Sequence, residues 1–201
     1  MAYTMNLRDG ERAQRKLMVT VVEWDDTRFG GTESNKRQVL GAWTEDSSID
    51  LNADVEKMTD ILGITRVAVN KLEPTQDMDI VIVGGSPFCL YMSEAIRRGD
   101  KAAYENNITV YNIFMYLGES GNVEAKKELN NTVEPQSIGG SAFVNMPVTV
   151  HYSNDITIGT VALNEKGKLD EDFKFVEETV SSMSLASAGA GVRMSKMSDE
   201  K

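Results

Sequence analysis

The stretch from Ser48 to Glu56 constrains the fold of this chain more than any other, because apolar and polar residues alternate along it without a break. The apolar positions are Ile49, Leu51, Ala53 and Val55, and the polar positions are Ser48, Asp50, Asn52, Asp54 and Glu56. A period of two over nine residues predicts a β-strand with one apolar and one solvated face. The solvated face carries three carboxylates and no cation. On an ordinary strand such a row serves solubility or discourages aggregation through the strand edge.

The composition excludes several classes of protein. The chain has 201 residues, of which 41% are hydrophobic and 26% charged, and this predicts one soluble globular domain. The formal net charge of -10 argues against nucleic-acid binding by phosphate neutralisation. Because Cys89 is the single cysteine, no internal disulfide can form, and we expect folding in a reducing cytosol. We expect neither a cleaved signal peptide nor membrane insertion, since every apolar run is short.

Further β-rich runs predict an antiparallel sheet around the opening stretch. They lie at residues 17–22, 38–43, 65–72, 77–83, 108–117, 143–152 and 156–163. We interpret residues 48–83 as one long antiparallel hairpin or meander with acidic residues on both limbs. Residues 118–131 are polar and predict a partial helix at 123–129.

One segment, Pro87 to Arg98, has the features of a helix. Ser86 can cap its N-terminus, proline suits its first turn, and Gly99 can end it. Its apolar face consists of Phe88, Tyr91, Met92 and Ala95. The predicted fold class is therefore mainly β, a β-sandwich or barrel with one α-helix.

Two segments flank the predicted β domain, which spans residues 17–165. Residues 1–16 form a polar N-terminal arm that is basic in its second half. Residues 166–201 form a C-terminal extension, and its Ser-, Ala-, Gly- and Met-rich end predicts a segment that is flexible or ordered only by a partner.

No pattern in the sequence predicts an active site. The only histidine, His151, follows a strand and is expected to be structural, and Cys89 is expected to be a small buried apolar residue. One histidine and one cysteine cannot supply a zinc site of ordinary ligand count. The Gly84-Gly85 turn before the helix lacks the lysine of a phosphate loop. We therefore predict no catalytic residue, no metal site and no cofactor, and we do not expect an enzyme.

A resemblance to a known family rests on four segments of the chain. They are residues 1–10 with 15–20, then Val39–Ser48 (VLGAWTEDSS), Thr59–Gly63 (TDILG) and Lys71–Gln76 (KLEPTQ). Together these segments resemble motifs of the major tail proteins, or tail tube proteins, of long-tailed bacteriophages of low-GC Gram-positive hosts. The resemblance covers roughly residues 1–163, and the segments 118–134 and beyond 165 depart from the family pattern.

The resemblance implies a phage tail tube fold, with two packed antiparallel sheets flanked by one helix. It implies hexameric rings in which a long β-hairpin from each subunit contributes to an oligomeric β-barrel around a channel. The N-terminal arm, loops and C-terminal segment would bridge stacked rings, and DNA would pass through the lumen without specific binding. The implied partners are further copies of the chain, tail tip and tail terminator proteins, and a tape measure protein inside the lumen. The implied location is the virion tail, assembled in the cytoplasm of the host bacterium.

In such a ring the apolar face of the hairpin would pack on the subunit body. The acidic face would line the channel, where carboxylates repel the phosphates of passing DNA. The residues predicted to line the lumen are Asp50, Asn52, Asp54, Glu56, Asp60, Glu73, Asp77 and Asp79. The residues predicted to act between rings are Tyr3, Met5, Leu7, Arg8 and Arg12.

Two alternatives remain open at the level of the sequence. The first is the inner tube of a contractile phage tail or a phage-tail-like bacteriocin, which shares the fold. The second is an acidic β-sandwich that binds a ligand as a monomer. Such a module requires clustered exposed aromatic residues, and Trp24 and Phe29 are the only loop candidates.

Overall fold

A computed structural model describes residues 7, 10–40, 47–59, 61–119, 121–170 and 172–178. The strands are β1 (Met18–Trp24), β2 (Lys36–Leu40), β3 (Ile49–Asp50), β4 (Ala53–Thr59), β5 (Thr65–Leu72), β6 (Thr75–Val81), β7 (Ile108–Glu119), β8 (Asn122–Pro135), β9 (Asn145–His151), β10 (Asp155–Ala162) and β11 (Phe175–Glu177), and the helix is α1 (Pro87–Arg98). All strand pairs are antiparallel, and α1 is the one α-helix of the described residues. The predicted mainly-β class with one helix is confirmed.

Nine of the strands form one sheet that folds over into two layers. Its order is β2-β1-β7-β8-β9-β6-β3, with β10 paired to the first half of β8 and β11 paired to β10. The remaining strands, β4 and β5, form a separate two-stranded sheet. The larger hydrophobic core lies between the layers, because it contains residues of β1 and β7 from one layer and of β6 and β9 from the other. The architecture is therefore that of a sandwich whose layers share a strand.

The shared strand is β8, and it changes layer near Asn130. Its first half pairs with β7 and β10, and its last residues pair with β9. Asn130 adopts a left-handed backbone with φ 56°, a conformation that asparagine tolerates better than most residues. The β7–β8 register shifts at the same place, and the buried Asn131 amide donates to the carbonyl oxygens of Ile108 and Glu128. These bonds satisfy backbone groups that the bend would leave unpaired.

The predicted partial helix at residues 123–129 is wrong, because these residues belong to β8. Val123 and Ala125 are buried and alternate with the half-buried Glu124 and Lys126. Glutamate, lysine and alanine favour helices in isolation. Here both edges of the segment pair with strands, and this tertiary pairing overrides the local preference.

Helix α1 has the predicted bounds and covers one side of the main core. The Ser86 hydroxyl accepts a hydrogen bond from the Cys89 amide, and Gly99 ends the helix in a left-handed conformation. The predicted apolar face is buried, with Cys89 beside it. Trp24, assigned to a loop from the sequence, is the last residue of β1 and is buried against Phe88. No helix in the described part of the chain combines the length and apolar character needed to cross a membrane.

A second, smaller core lies on the opposite side of the β1–β7–β8 layer. The segment after β10 covers it, with Phe173 buried against the Tyr111 ring and β11 paired to β10. The Arg37 guanidinium lies over the rings of Tyr111 and Phe173 and donates to Glu23. The folded body therefore continues past residue 165, where the sequence prediction began the C-terminal extension.

Candidate functional site

The hairpin formed by β4 and β5 extends from the body and is the most unusual feature of the molecule. Every described residue of both strands is exposed. The hairpin continues the pairing of β3 with β6, because Asp50 pairs with Thr75 and, three residues further, Ala53 pairs with Leu72. Residues 49–76 thus form one antiparallel hairpin whose base belongs to the body and whose far end does not.

Asn52 lies where the hairpin leaves the body. It has a left-handed backbone with φ 43°, and its side-chain amide donates to the Glu73 carbonyl oxygen at 3.1 Å and to the Thr75 hydroxyl at 2.9 Å. The predicted continuous strand from Ser48 to Glu56 is therefore wrong, because β3 ends before Asn52 and β4 begins after it. The Asn52 side chain ties the two limbs of the hairpin together, and its predicted place in a lumen stays a prediction.

Replacing Asn52 with alanine should loosen the base of the hairpin. We expect local opening of β4 and β5 to become easier by about 1–2 kcal/mol, because alanine loses both hydrogen bonds and tolerates the left-handed backbone poorly. Amide hydrogen exchange across the two strands measures this change. The matched variant Asn52→Gly loses the bonds without the backbone strain, so it should lie between wild type and Asn52→Ala. Equal exchange in all three proteins would contradict this role.

One face of the hairpin is predominantly apolar and solvent-exposed. Directly opposite residues share a face, which places Val55 with Val69 and Lys57 with Val67 on this side, together with Leu72. The four apolar side chains are between 43% and 60% exposed. In the single chain this face is left exposed, and the expectation that it packs on a subunit body within a ring stays a prediction. An apolar strand face without cover is typical of a surface that another molecule buries.

The turn at the end of the hairpin is also apolar. Ile61, Leu62 and Ile64 are all exposed, and Gly63 supplies the left-handed residue of the turn with φ 78°. A turn between exposed strands is ordinarily polar. The apolar turn and the apolar face are thus both left unburied in the single chain.

The opposite face of the hairpin carries charges of both signs. Asp54 lies opposite Lys71, and Met58 lies opposite Arg66. A β-bulge at Asn70 shifts the register between these pairs, and the Asn70 amide donates to Glu56 at 3.4 Å. The prediction of a face with carboxylates and no cation is wrong, because it considered one strand without its partner.

Glu73 lies just beyond this face and pairs with Lys71. The hydrogen bond from Lys71, together with its charge, lowers the pKa of the Glu73 carboxyl. The same contact raises the pKa of the Lys71 ammonium group. Both groups are exposed, so the pair organises the surface more than it stabilises the fold.

The remaining predicted acids lie on the solvent side of the body. Asp77 and Asp79 alternate along β6 with buried residues, and Asp50 shares their side because it lies opposite Thr75. The Asp77 carboxylate accepts a hydrogen bond from the Thr149 hydroxyl at 2.6 Å. These two β6 acids border an open concavity of about 1010 Å³ beneath the loop before β9. Asp50, Asp77 and Asp79 thus form an acidic surface at the foot of the hairpin.

The other predicted site residues fall at or outside the limits of the described chain. Asp60, Tyr3, Met5 and Arg8 lie outside the described residues. Leu7 is half-buried and Arg12 is exposed.

The surroundings of His151 and Cys89 give no indication of catalysis. His151 is exposed and lies 2.9 Å from the Glu134 carboxylate, and Cys89 is buried in α1. In the part of the chain that the structure describes, no three histidine, cysteine, aspartate or glutamate side chains come together as metal ligands.

Sequence reasoning missed the cations of the charged face and the apolar turn. Arg66 and Lys71 are five positions apart, which would place them on opposite faces of a regular strand. The bulge at Asn70 brings them to the same face. The sequence does contain a signal for the apolar turn, namely the run Ile61-Leu62-Gly63-Ile64, because a solvated turn is ordinarily polar.

No protein-family model matches the chain, and a search of curated proteins finds no match.

Proposed function

We propose that the protein is a structural subunit of a tube, in which hairpins from neighbouring copies pair edge to edge around a channel. The observation that carries this proposal is the β4–β5 hairpin, whose residues are all exposed although one face is apolar. The motifs that resemble phage tail tube proteins support the same function. The tube would be that of a bacteriophage tail, built from stacked hexameric rings that conduct DNA.

An isolated hairpin such as β4–β5 has little stability of its own. Two strands alone are marginally stable in water, and each of their outer edges offers unpaired backbone groups. Among the described residues, no other strand pairs with β4 or β5. Closure of several hairpins into a barrel satisfies these edges and buries the apolar face against neighbouring subunits. A single chain cannot achieve either result.

The charges of the hairpin and its base fit a channel for DNA. The acidic surface of Asp50, Asp77 and Asp79 repels phosphate, and the chain as a whole has a net charge of -10. The hairpin face itself balances Asp54 and Glu56 against Arg66 and Lys71. We propose that this face lines the channel, where its lack of net positive charge prevents DNA from adhering.

Electron microscopy of the concentrated protein tests the proposal, with hollow rings or tubes as the expected result. Replacing Val55, Val67 and Val69 with threonine should abolish assembly and leave the body folded, because threonine keeps the β-branched shape and removes the apolar surface. The matched control changes three apolar residues of similar exposure, 44% to 52%, on β10 and β11, namely Ile156, Ile158 and Val176, to threonine. The control should assemble normally.

Two results would contradict the proposal. The first is a wild-type protein that sediments as a monomer up to its solubility limit. The second is undiminished assembly of the valine-to-threonine variant, with circular dichroism confirming that it is folded.

A further inference from the structure

The charges on the polar face of the hairpin are separated by strand. On this face β4 carries Asp54 and Glu56, and β5 carries Arg66 and Lys71. The bulge at Asn70 is required for this arrangement, since it moves Lys71 onto the side that Arg66 already occupies. On its polar face the hairpin therefore has one acidic edge and one basic edge. Lys57 of β4 lies on the opposite face, and Glu73, which contacts Lys71, lies just beyond β5.

We infer that this separation selects the partner edge, so that β4 of one copy pairs with β5 of the next copy. The inference rests on the proposed function, because it specifies how copies of the chain meet in the tube. The surface is the polar face at the two outer edges of the hairpin, and the partner is a second copy of the same chain.

Pairing of like edges is opposed by charge. A β4–β4 contact brings Asp54 and Glu56 of two copies together, and a β5–β5 contact brings together Arg66 and Lys71 of two copies. Like charges on neighbouring strands destabilise a sheet, whereas opposite charges stabilise it. A twofold dimer formed through identical edges is therefore disfavoured. A β4–β5 contact is head to tail, and repeated head-to-tail contacts close into a ring or extend as a helix.

The positions of the charges along the strands suit a ring in which all hairpins stand at the same height. Asp54 already lies opposite Lys71 within one hairpin. When the next hairpin stands at the same height, Asp54 lies between two Lys71 side chains, one from each copy. Glu56 lies between the levels of Lys71 and Arg66, within diagonal reach of both.

Charge reversal of one strand at a time tests the inference. The variant Asp54→Lys/Glu56→Lys has two basic edges, and the variant Arg66→Glu/Lys71→Glu has two acidic edges. Each variant alone should need about tenfold or more protein to assemble than wild type, or should fail to assemble. An equal mixture should assemble, because each basic edge then meets an acidic edge of the other variant. In the mixture the two variants must alternate around the ring. Such a ring closes only with an even number of subunits, as in the hexamer implied by the resemblance.

The variant that carries all four reversals is the matched control. Its β4 is basic and its β5 is acidic, so it should assemble alone with a threshold near that of wild type. Light scattering gives the threshold concentration, electron microscopy gives the product, and circular dichroism confirms that each variant is folded.

The outcomes separate the inference from the proposed function. Assembly of both half-reversed variants at the wild-type threshold would overturn the inference and leave the tube function standing. Failure of the mixture and of the fourfold variant to assemble would also overturn the inference. In both cases each basic edge can meet an acidic edge, so assembly should return if charge selects the partner edge. Failure of wild type itself to assemble would reject the tube function.

Discussion

Replacing Lys126 with methionine should reduce the free energy of unfolding by about 3–5 kcal/mol. Glu128 is completely buried between the layers, and Lys126 Nζ is in ion-pair contact with Glu128 Oε1. Apart from this contact, neither carboxylate oxygen has a hydrogen-bond partner among the described residues. Methionine keeps the length of the lysine stem but removes the charge. The variant therefore leaves the buried carboxylate without compensation.

The double variant Lys126→Met/Glu128→Leu distinguishes the pair from the packing of its stems. The attraction within a buried ion pair barely offsets the cost of removing both charges from water. Replacing both members by apolar residues should therefore be neutral or stabilising. Lys127→Met on the same strand is the matched control. Lys127 Nζ lies over the rings of Tyr111 and Phe175, both at 5.9 Å, and we expect a loss of at most about 1 kcal/mol.

Urea unfolding followed by circular dichroism measures all three proteins, and an unchanged slope with denaturant indicates that the compared states are the same. Equal losses for Lys126→Met and Lys127→Met would contradict the dependence of Glu128 on its partner.

Trp24→Ala should also destabilise the body by about 3–5 kcal/mol. The Trp24 ring is buried at the end of β1, with ring centroids 5.2 Å from Phe88 and 5.8 Å from Tyr91. It therefore joins the first strand to α1 across the main core. Truncation leaves a large cavity lined by rigid aromatic rings, which cannot collapse to fill it.

Thermal and urea unfolding measure this loss, and two further variants control for it. Trp24→Phe keeps an aromatic ring and should lose less than Trp24→Ala. Phe143→Ala removes an exposed aromatic side chain of the loop before β9 and should change stability by at most about 0.5 kcal/mol. A Trp24→Ala variant as stable as Phe143→Ala would contradict the assignment of Trp24 to the core.

The sequence predicts those elements whose signals are local. Helix α1 runs from Pro87 to Arg98 between its caps Ser86 and Gly99 as predicted, because an N-cap, a first-turn proline and a C-terminal glycine act on adjacent residues. The strands predicted at residues 65–72 and 156–163 are likewise found within one residue of their predicted positions, as β5 and β10. Segment 123–129 was predicted incorrectly because its residues favour a helix in isolation, and only pairing with β7 and β10 makes it a strand.

The candidate site depended on information that one strand does not contain. The alternation of Ser48 to Glu56 predicted a strand but not its interruption at Asn52, whose backbone conformation is stabilised by bonds to the opposite limb. The net charge of the polar face depends on which residues of β5 lie opposite Asp54 and Glu56. That register includes a bulge, and a shift by one residue exchanges the faces of a strand.

The layer change within β8 has a mechanical consequence. The hairpin is continuous with β3 and β6, and β6 is held to β9 by seven register pairs along its length. Because β9 pairs with the end of β8, a pull on the hairpin is transmitted through that ladder to a strand whose other half lies in the second layer. Force directed along the strands loads the β6–β9 hydrogen bonds together rather than one after another. The covalent backbone of β8 then carries the load across the core, so the two layers resist the pull jointly.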